Sequence, residues 1–384
     1  MVISSFNVFD HNQLNAHIAG CGAGGHVTVG KGFEGERMVA TKNVHKVEDD
    51  ALAAIDYCYE RGWTDGLPVV PPERGRVDAM LAMEGRPPET VIASHPATGI
   101  ECSLHGAAVN AVMAGCLPEY FPVVVAALEA VDEPDYSFHA STASTGGSAP
   151  VVIVSGPAVR DLGMNSAGNV FGPGNRANAT IGRAMRLIIM NVFEMLPGIS
   201  DQSTQGHPGK YVSCIAERAE SSPWDPLHVE LGFGADISSV TVFAGSGFCN
   251  IENHGGNTPE SILDCVADAM ASLGCITIGQ SVVVLSPEHA EIVGATGWSR
   301  VDVCEYLFTQ ANQTVEVMRR VGKYVEREHV RQGTEHVHRG FGAHDILLLV
   351  AGGDAGGHSC FIPSWSRTRA SMMQSKPIGV CIDC

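Results

Sequence analysis

The sequence predicts an α/β protein, and three observations carry that reading. Helical patterns alternate with short apolar runs, those runs are rich in valine and isoleucine, and glycine or proline bounds them. "PVVIVSGP" (150–157) reads as a buried strand, and "SSVTVFAG" (238–245) and "DILLLVAGG" (345–353) as further strands. "KYVSCIA" (210–216) is expected to be a further strand.

The chain also resembles itself. "LPEYFPVVVAALEAV" (117–131) is a helical pattern with Pro-Glu near its start, followed after a loop by "PVVIVSGP" and "AVRDLGMNS". "TPESILDCVADAMASLG" (258–274) again opens on Pro-Glu and leads to "SVVVLSPEHAEIVGATGWS". Both segments read helix, apolar strand, serine turn with proline, short helix, glycine. They predict two related α/β subdomains facing each other. The expected layout is a glycine-rich N-terminal arm at 1–47, a first subdomain at 48–205, a second at 206–370, and a tail at 371–384.

A first helix is expected over 48–62, opened by acidic residues at its positive end and closed by Gly62. Further helices are expected at 178–194, 300–312 and 313–328. The glycine-dense arm, "GCGAGGHVTVGKGFEGERMVATKN", suits strands and turns that could reach another subunit, so a homo-oligomer is expected.

Composition narrows the function. The formal charge of −18 argues against nucleic acid and anionic membrane as partners, since both need a basic face. No apolar run approaches the length of a membrane span, and the first residues lack the basic-then-apolar pattern of a signal peptide. Twelve cysteines without an export signal point to a reducing, cytoplasmic compartment. Most of them, Cys265 and Cys304 included, read as small core residues.

Chemistry concentrates in a few stretches. In "NVFGPGNRANATIGRAMRLIIMNV", Gly172 and Gly174 form a turn that leads into a helix capped by Asn175 or Asn178. Arg176 and Arg183, with Arg186 beside them, lie near one helical face and could hold a carboxylate or phosphate, or pair with the plentiful acids. In "STQGHPGKYVSCIAE", Lys210 and Cys214 are expected to share a strand face, where the lysine would favour a thiolate. Cys116 precedes an expected helix N-terminus, the other common way to stabilise a thiolate, and is the first candidate nucleophile. In "LLLVAGGDAGGHSC", Asp354 and His358 could orient one another, with His358 as proton donor.

The chain stops on "KPIGVCIDC", and Cys381 with Cys384 could be a redox pair, half of a metal site or an inert tail. His329, His336, His338 and His344 offer a second metal candidate, although neither a zincin motif nor a paired C-x-x-C pattern is present. A transition metal such as zinc stays open beside a cofactor-free reading.

The stretches "RGWTDGLPVVPPERGRVDAML", "VNAVMAGCLPEYFPVVVAALEAV", "FGPGNRANATIGRAMRLIIMNV", "GHPGKYVSCIAE" and "VVVLSPEHAEIVGATGWSRVDVCEYLF" resemble the bacterial UGSC-family (seleno)protein group. More narrowly, they resemble the larger protein that lacks the Cys-Gly-Ser-Cys motif itself. The resemblance spans 60–378. It implies a substrate-holding chain that accompanies a small thiol or selenol redox protein, and it directs attention to Cys116, Glu119, Asn175, Arg176, Asn178, Arg183, Lys210 and Cys214.

The expectation from the whole sequence is an enzyme acting on a small anionic metabolite by cysteine chemistry, either redox or cleavage of a carbon–heteroatom bond. Cys116, Cys381, Cys384 and His358 would be catalytic. Asn175, Arg176, Asn178, Arg183 and Lys210 would bind the substrate. A metal-dependent lyase or hydrolase, and a scaffold subunit for a redox protein, are the alternatives.

Overall fold

The computed structural model describes residues 2–4, 44–46, 50–323, 335–354 and 356–379. Most of the expected N-terminal arm, His329, and both tail cysteines lie outside the described residues. The arm contributes one short antiparallel pair, β1 (Val2–Ser4) with β2 (Val44–Lys46). A second hairpin joins β3 (Val91–Ser94) and β4 (Glu101–Ser103).

The remaining strands are β5 (Ala149–Ser155), β6 (Cys214–Ala216), β7 (Ser239–Gly245), β8 (Cys249–Glu252), β9 (Ser281–Leu285), β10 (Asn312–Thr314), β11 (His336–His338), β12 (Ile346–Val350), β13 (His358–Pro363) and β14 (Gln374–Pro377). Two four-stranded sheets organise the molecule, in the orders β14-β7-β5-β6 and β12-β9-β13-β8. The α/β class is thereby established.

The two sheets share one plan. β5 pairs parallel with β6 and antiparallel with β7, which pairs antiparallel with β14. Likewise β9 pairs parallel with β12 and antiparallel with β13, which pairs antiparallel with β8. Superposing "VVIVS" on "VVVLS" sets Ser155 against Ser286, and the rest of the register follows. Glu217 N–H donates to Val154 O at 2.9 Å, and its counterpart Ala351 N–H donates to Leu285 O at 3.1 Å. Ile378 N–H donates to Ser238 O, and its counterpart Asn253 N–H to Gly357 O, both at 2.8 Å.

Each sheet borrows its last strand. After β7 the chain crosses to give β8 to the second sheet, and after β13 it crosses back to give β14 to the first. The two crossovers meet, because Gly245 bridges Ser364 in antiparallel fashion. Ser246 N–H donates to Pro363 O at 2.9 Å, and Trp365 N–H returns a bond to Ala244 O at 2.8 Å. In the shared register these two bonds are mates of each other, so a local two-fold axis passes through the Gly245–Ser364 pair. Sheet membership therefore does not divide at residue 205: β6 and β7 belong with β5, and β14 closes the same sheet.

Side-chain alternation explains the layers. Val151, Ile153 and Phe243 of the first sheet meet Val282, Val284, Leu349 and Ile362 of the second. Val152, Val154 and Val242 face the other way, onto the helices Leu104–Ala114, Phe121–Val131 and Arg176–Asn191. Val283, Leu285 and Leu348 face the helices Pro259–Ala271 and Arg300–Gln310. The result is helix, sheet, sheet, helix, with strands covered on both sides, which is why they read as unbroken apolar runs.

Several boundaries differ from expectation. The helix expected over 117–131 begins as a 3-10 turn at Pro118–Tyr120 and becomes α-helical at Phe121–Val131. The strand expected over 210–216 shrinks to Cys214–Ala216, because Pro208 and Gly209 hold Lys210 in a 3-10 turn. The helix expected from 313 starts at Val315 and closes at Arg320, since Thr314 belongs to β10 and caps it.

Candidate functional site

Among the described residues, polar chemistry gathers where the loops before β5 and β6 meet the middle of the Arg176–Asn191 helix. That helix starts where expected. The Asn175 side chain accepts the Asn178 N–H, and Asn175 Nδ2 donates to Gly163 O at 2.8 Å. Asn178 is buried and exchanges bonds with the backbone of Asn165, its Oδ1 accepting at 2.9 Å and its Nδ2 donating at 2.8 Å. Both asparagines are thus occupied in holding the turn, and neither offers a free group to a substrate.

The three arginines divide. Arg176 is exposed, and its Nε donates to Gly115 O at 2.9 Å. Arg183 makes a two-pronged ion pair with Asp65, at 2.9 and 2.8 Å, and also reaches Leu67 O and Pro68 O. The Asp65 side chain is 2% exposed, so stripping Arg183 away would cost about 3–5 kcal/mol. The expectation that Arg183 holds substrate is corrected: a carboxylate of the chain itself already fills its fork.

Arg186 is the exception. It is 8% exposed, and its Nε donates to Lys210 O at 2.6 Å. Its two terminal nitrogens have no hydrogen-bond or ion-pair partner among the described residues. Burial lowers its pKa, while Asp201, Tyr136 and Asp65 pull it back up from a distance. A guanidinium stays charged regardless. A buried cation with its fork open has the donors to hold an anion.

Lys210 stands next to it. Its Nζ donates to Asp201 Oδ2 at 2.5 Å and to Ser203 Oγ at 2.6 Å, and Ser203 Oγ donates on to Asp201 Oδ1 at 2.6 Å. Burial lowers the lysine's pKa, Asp201 opposes this, and Arg186 reinforces it. The Asp201 carboxyl is held below its ordinary value: burial works against ionisation, but the bonds from Lys210 and Ser203 prevail.

His207 completes the group. Both ring nitrogens are buried and lack a bond of normal geometry. Burial lowers its pKa, the nearby backbone of Gly245 and Gly147 partly offsets this, and Lys210 and Arg186 add to the lowering. Glycines let the loops close tightly on His207. A Cβ on Gly147 would stand 3.1 Å from Gly206 Cα, and one on Gly209 would fall 2.8 Å from the His207 ring.

The thiol expectations are corrected. Cys116 follows the C-terminal end of the Leu104–Ala114 helix and is 6% exposed. Burial pushes its thiol up to about 12, against weaker opposite pulls from Thr180 and Arg176. It is therefore a neutral thiol at physiological pH. Lys210 and Cys214 do not share a strand face, since only Cys214 enters β6, where burial raises its thiol as well.

Asp354 and His358 do not orient one another. Asp354 pairs with Arg218 at 2.7 Å, while His358 is exposed, bonded to Gly356 O, and edge-on to His254 at 5.1 Å. His358 opens β13, whereas the Gly245–Ser364 pair beside His207 lies past that strand's other end. His336 bonds Asn312, His338 stacks on Phe308, and His344 meets Arg369. Among the described residues no three His, Cys, Asp or Glu side chains converge as a metal requires.

Two other polar features have chemistry unsuited to binding an anion. Ser155, Glu217 and His228 form a wholly buried network, with His228 Nδ1 3.0 Å from Ser155 Oγ and both Glu217 oxygens accepting from Leu227 N–H. Its bonds are internally satisfied and nothing can reach it. A concavity of about 470 Å³ along β8 is lined by Glu252, Asp264 and Asp268 with Cys249 and Cys265. Three carboxylates make it hostile to an anion.

Sequence reasoning missed Asp201, Ser203 and the primacy of Arg186. The only signal was the short spacing of Asp201, Ser203 and Lys210 in a loop between a helix and a strand. No family model matches the chain, and no curated protein matches it.

Proposed function

We propose that the protein is an enzyme that binds a small carboxylate- or phosphate-bearing metabolite at Arg186 and moves a proton to or from it through Lys210. The observation that supports this is the buried Arg186 guanidinium, whose open fork adjoins a lysine of lowered pKa. Arg186 would anchor the anion by two parallel bonds. Lys210 would act as general acid, its ammonium held in place by Asp201 and Ser203 until the substrate takes the proton. His207, its nitrogens buried, would serve as a packed wall beside the bound molecule.

A thiol step in this reading belongs to Cys381 and Cys384, because Cys116 is held protonated. A small thiol or selenol redox protein would be the partner of that step. A cytoplasmic setting fits the described cysteines, which are free thiols. No described helix is long and apolar enough to cross a membrane.

The test is calorimetric titration of phosphate and acetate into the wild type, Arg186→Met, Arg186→Lys and, as a charge control, Arg160→Met on the exposed surface. Binding should weaken at least tenfold in Arg186→Met, persist partly in Arg186→Lys, and stay unchanged in Arg160→Met. Circular dichroism checks that each variant folds. Equal binding by folded wild type and Arg186→Met rejects the site.

A further inference from the structure

Beside the Arg186–Lys210 cluster lies an apolar feature that anion binding does not use. Phe171 and Phe248 are 43% and 39% exposed while in mutual contact, so together they present a small apolar patch. Their ring centroids are 5.3 Å apart at 62°, an edge-to-face arrangement. Phe248 in turn meets the His207 ring edge-to-face at 6.1 Å and 72°. The three rings form a chain running from solvent to the histidine of the cluster.

The backbone fixes this chain to the site. Phe171 sits on the turn that leads into the Arg176–Asn191 helix, which carries Arg186. Phe248 lies on the crossover between β7 and β8, immediately beyond the Gly245–Ser364 bridge. Gly209, the residue before Lys210, lies under both rings: a Cβ there would stand 2.7 Å from Phe248 Cε2 and 2.8 Å from His207 Cε1. Only glycine lets Phe248 and His207 close over the segment that presents Lys210.

Resting on the proposed anion site, we infer that its substrate is an aromatic carboxylate, with the ring against Phe248 and Phe171 and the carboxylate at Arg186. An exposed aromatic edge costs solvent ordering that a planar apolar partner relieves. A substrate consisting of an anionic group alone would leave both phenylalanines in water. The His207 ring lies between the two parts, its edge toward Phe248 and its nitrogens buried beside the backbone of Gly245 and Gly147.

The experiment titrates acetate, cyclohexanecarboxylate and benzoate into wild type, Phe248→Ala, Phe248→Leu and Arg186→Met. Benzoate should bind the wild type about fivefold more tightly than cyclohexanecarboxylate, and that preference should vanish in Phe248→Ala while acetate binding stays unchanged. Phe248→Leu should keep the affinity for cyclohexanecarboxylate but lose the preference for benzoate. Carboxylate binding that depends on Arg186 but shows no aromatic preference, or a preference that survives Phe248→Ala, overturns the substrate class and leaves the anion site standing. Binding of none of the three, or binding indifferent to Arg186→Met, overturns the anion site itself.

Discussion

Asp201 shows what one residue contributes to both stability and the site. Its folded pKa lies below the value for an unfolded chain, so its ionised form stabilises the fold at neutral pH. That stabilisation is fully present above about pH 4 and is lost as pH falls through the lower, folded value. Asp201→Asn should therefore melt at lower temperature than wild type at pH 7, with the gap closing below about pH 3. Thermal melts across pH 2.5–7 check this, and a constant gap would mean that the Lys210 contact carries no net charge dependence. At this scale the sequence was half legible. It pointed to arginines near a helix start, but Asp65, which occupies Arg183, is 118 positions away. No local pattern could indicate which arginine would be left with an open fork.

At the scale of elements, caps and periodicity were the readable features. The helix Arg176–Asn191 was placed within a few residues because Asn175 and the glycines before it mark its start. Asn175→Ala should cost about 1 kcal/mol and lower the melting temperature by a few degrees, read by circular dichroism. It should also weaken anion binding at Arg186 far less than Arg186→Met does, because the cap sits about three turns away. The helix Leu104–Ala114 escaped notice for the opposite reason. Ten of its residues are buried, so it has no polar face and no periodic signal. β8 and β14 were missed too: four residues each, half-polar, they become strands only because a partner edge is waiting.

For the whole molecule, the repeated helix–strand–serine pattern anticipated a repeat of topology, while the exchange of last strands left no mark in the local sequence. Strand pairing between distant segments is a property of the fold, not of the segments. The exchange makes the halves interdependent. Fragments 50–254 and 255–379, produced separately, should each show weak secondary structure and aggregate, since the first lacks β14 for its sheet and the second lacks β8. Mixed during refolding, they should give one species of the combined mass by size-exclusion chromatography. A fragment 50–254 that is monomeric and melts cooperatively by itself would show that β14 is dispensable.

The crossing at Gly245 and Ser364 also sets a timetable. During synthesis β7 leaves the ribosome long before β14 exists, so the first sheet must wait, one edge unpaired, for the last strand to be translated. The nascent first half is therefore the stage most in need of a chaperone's shelter, and closure of the molecule is a single late event in which both edges are sealed.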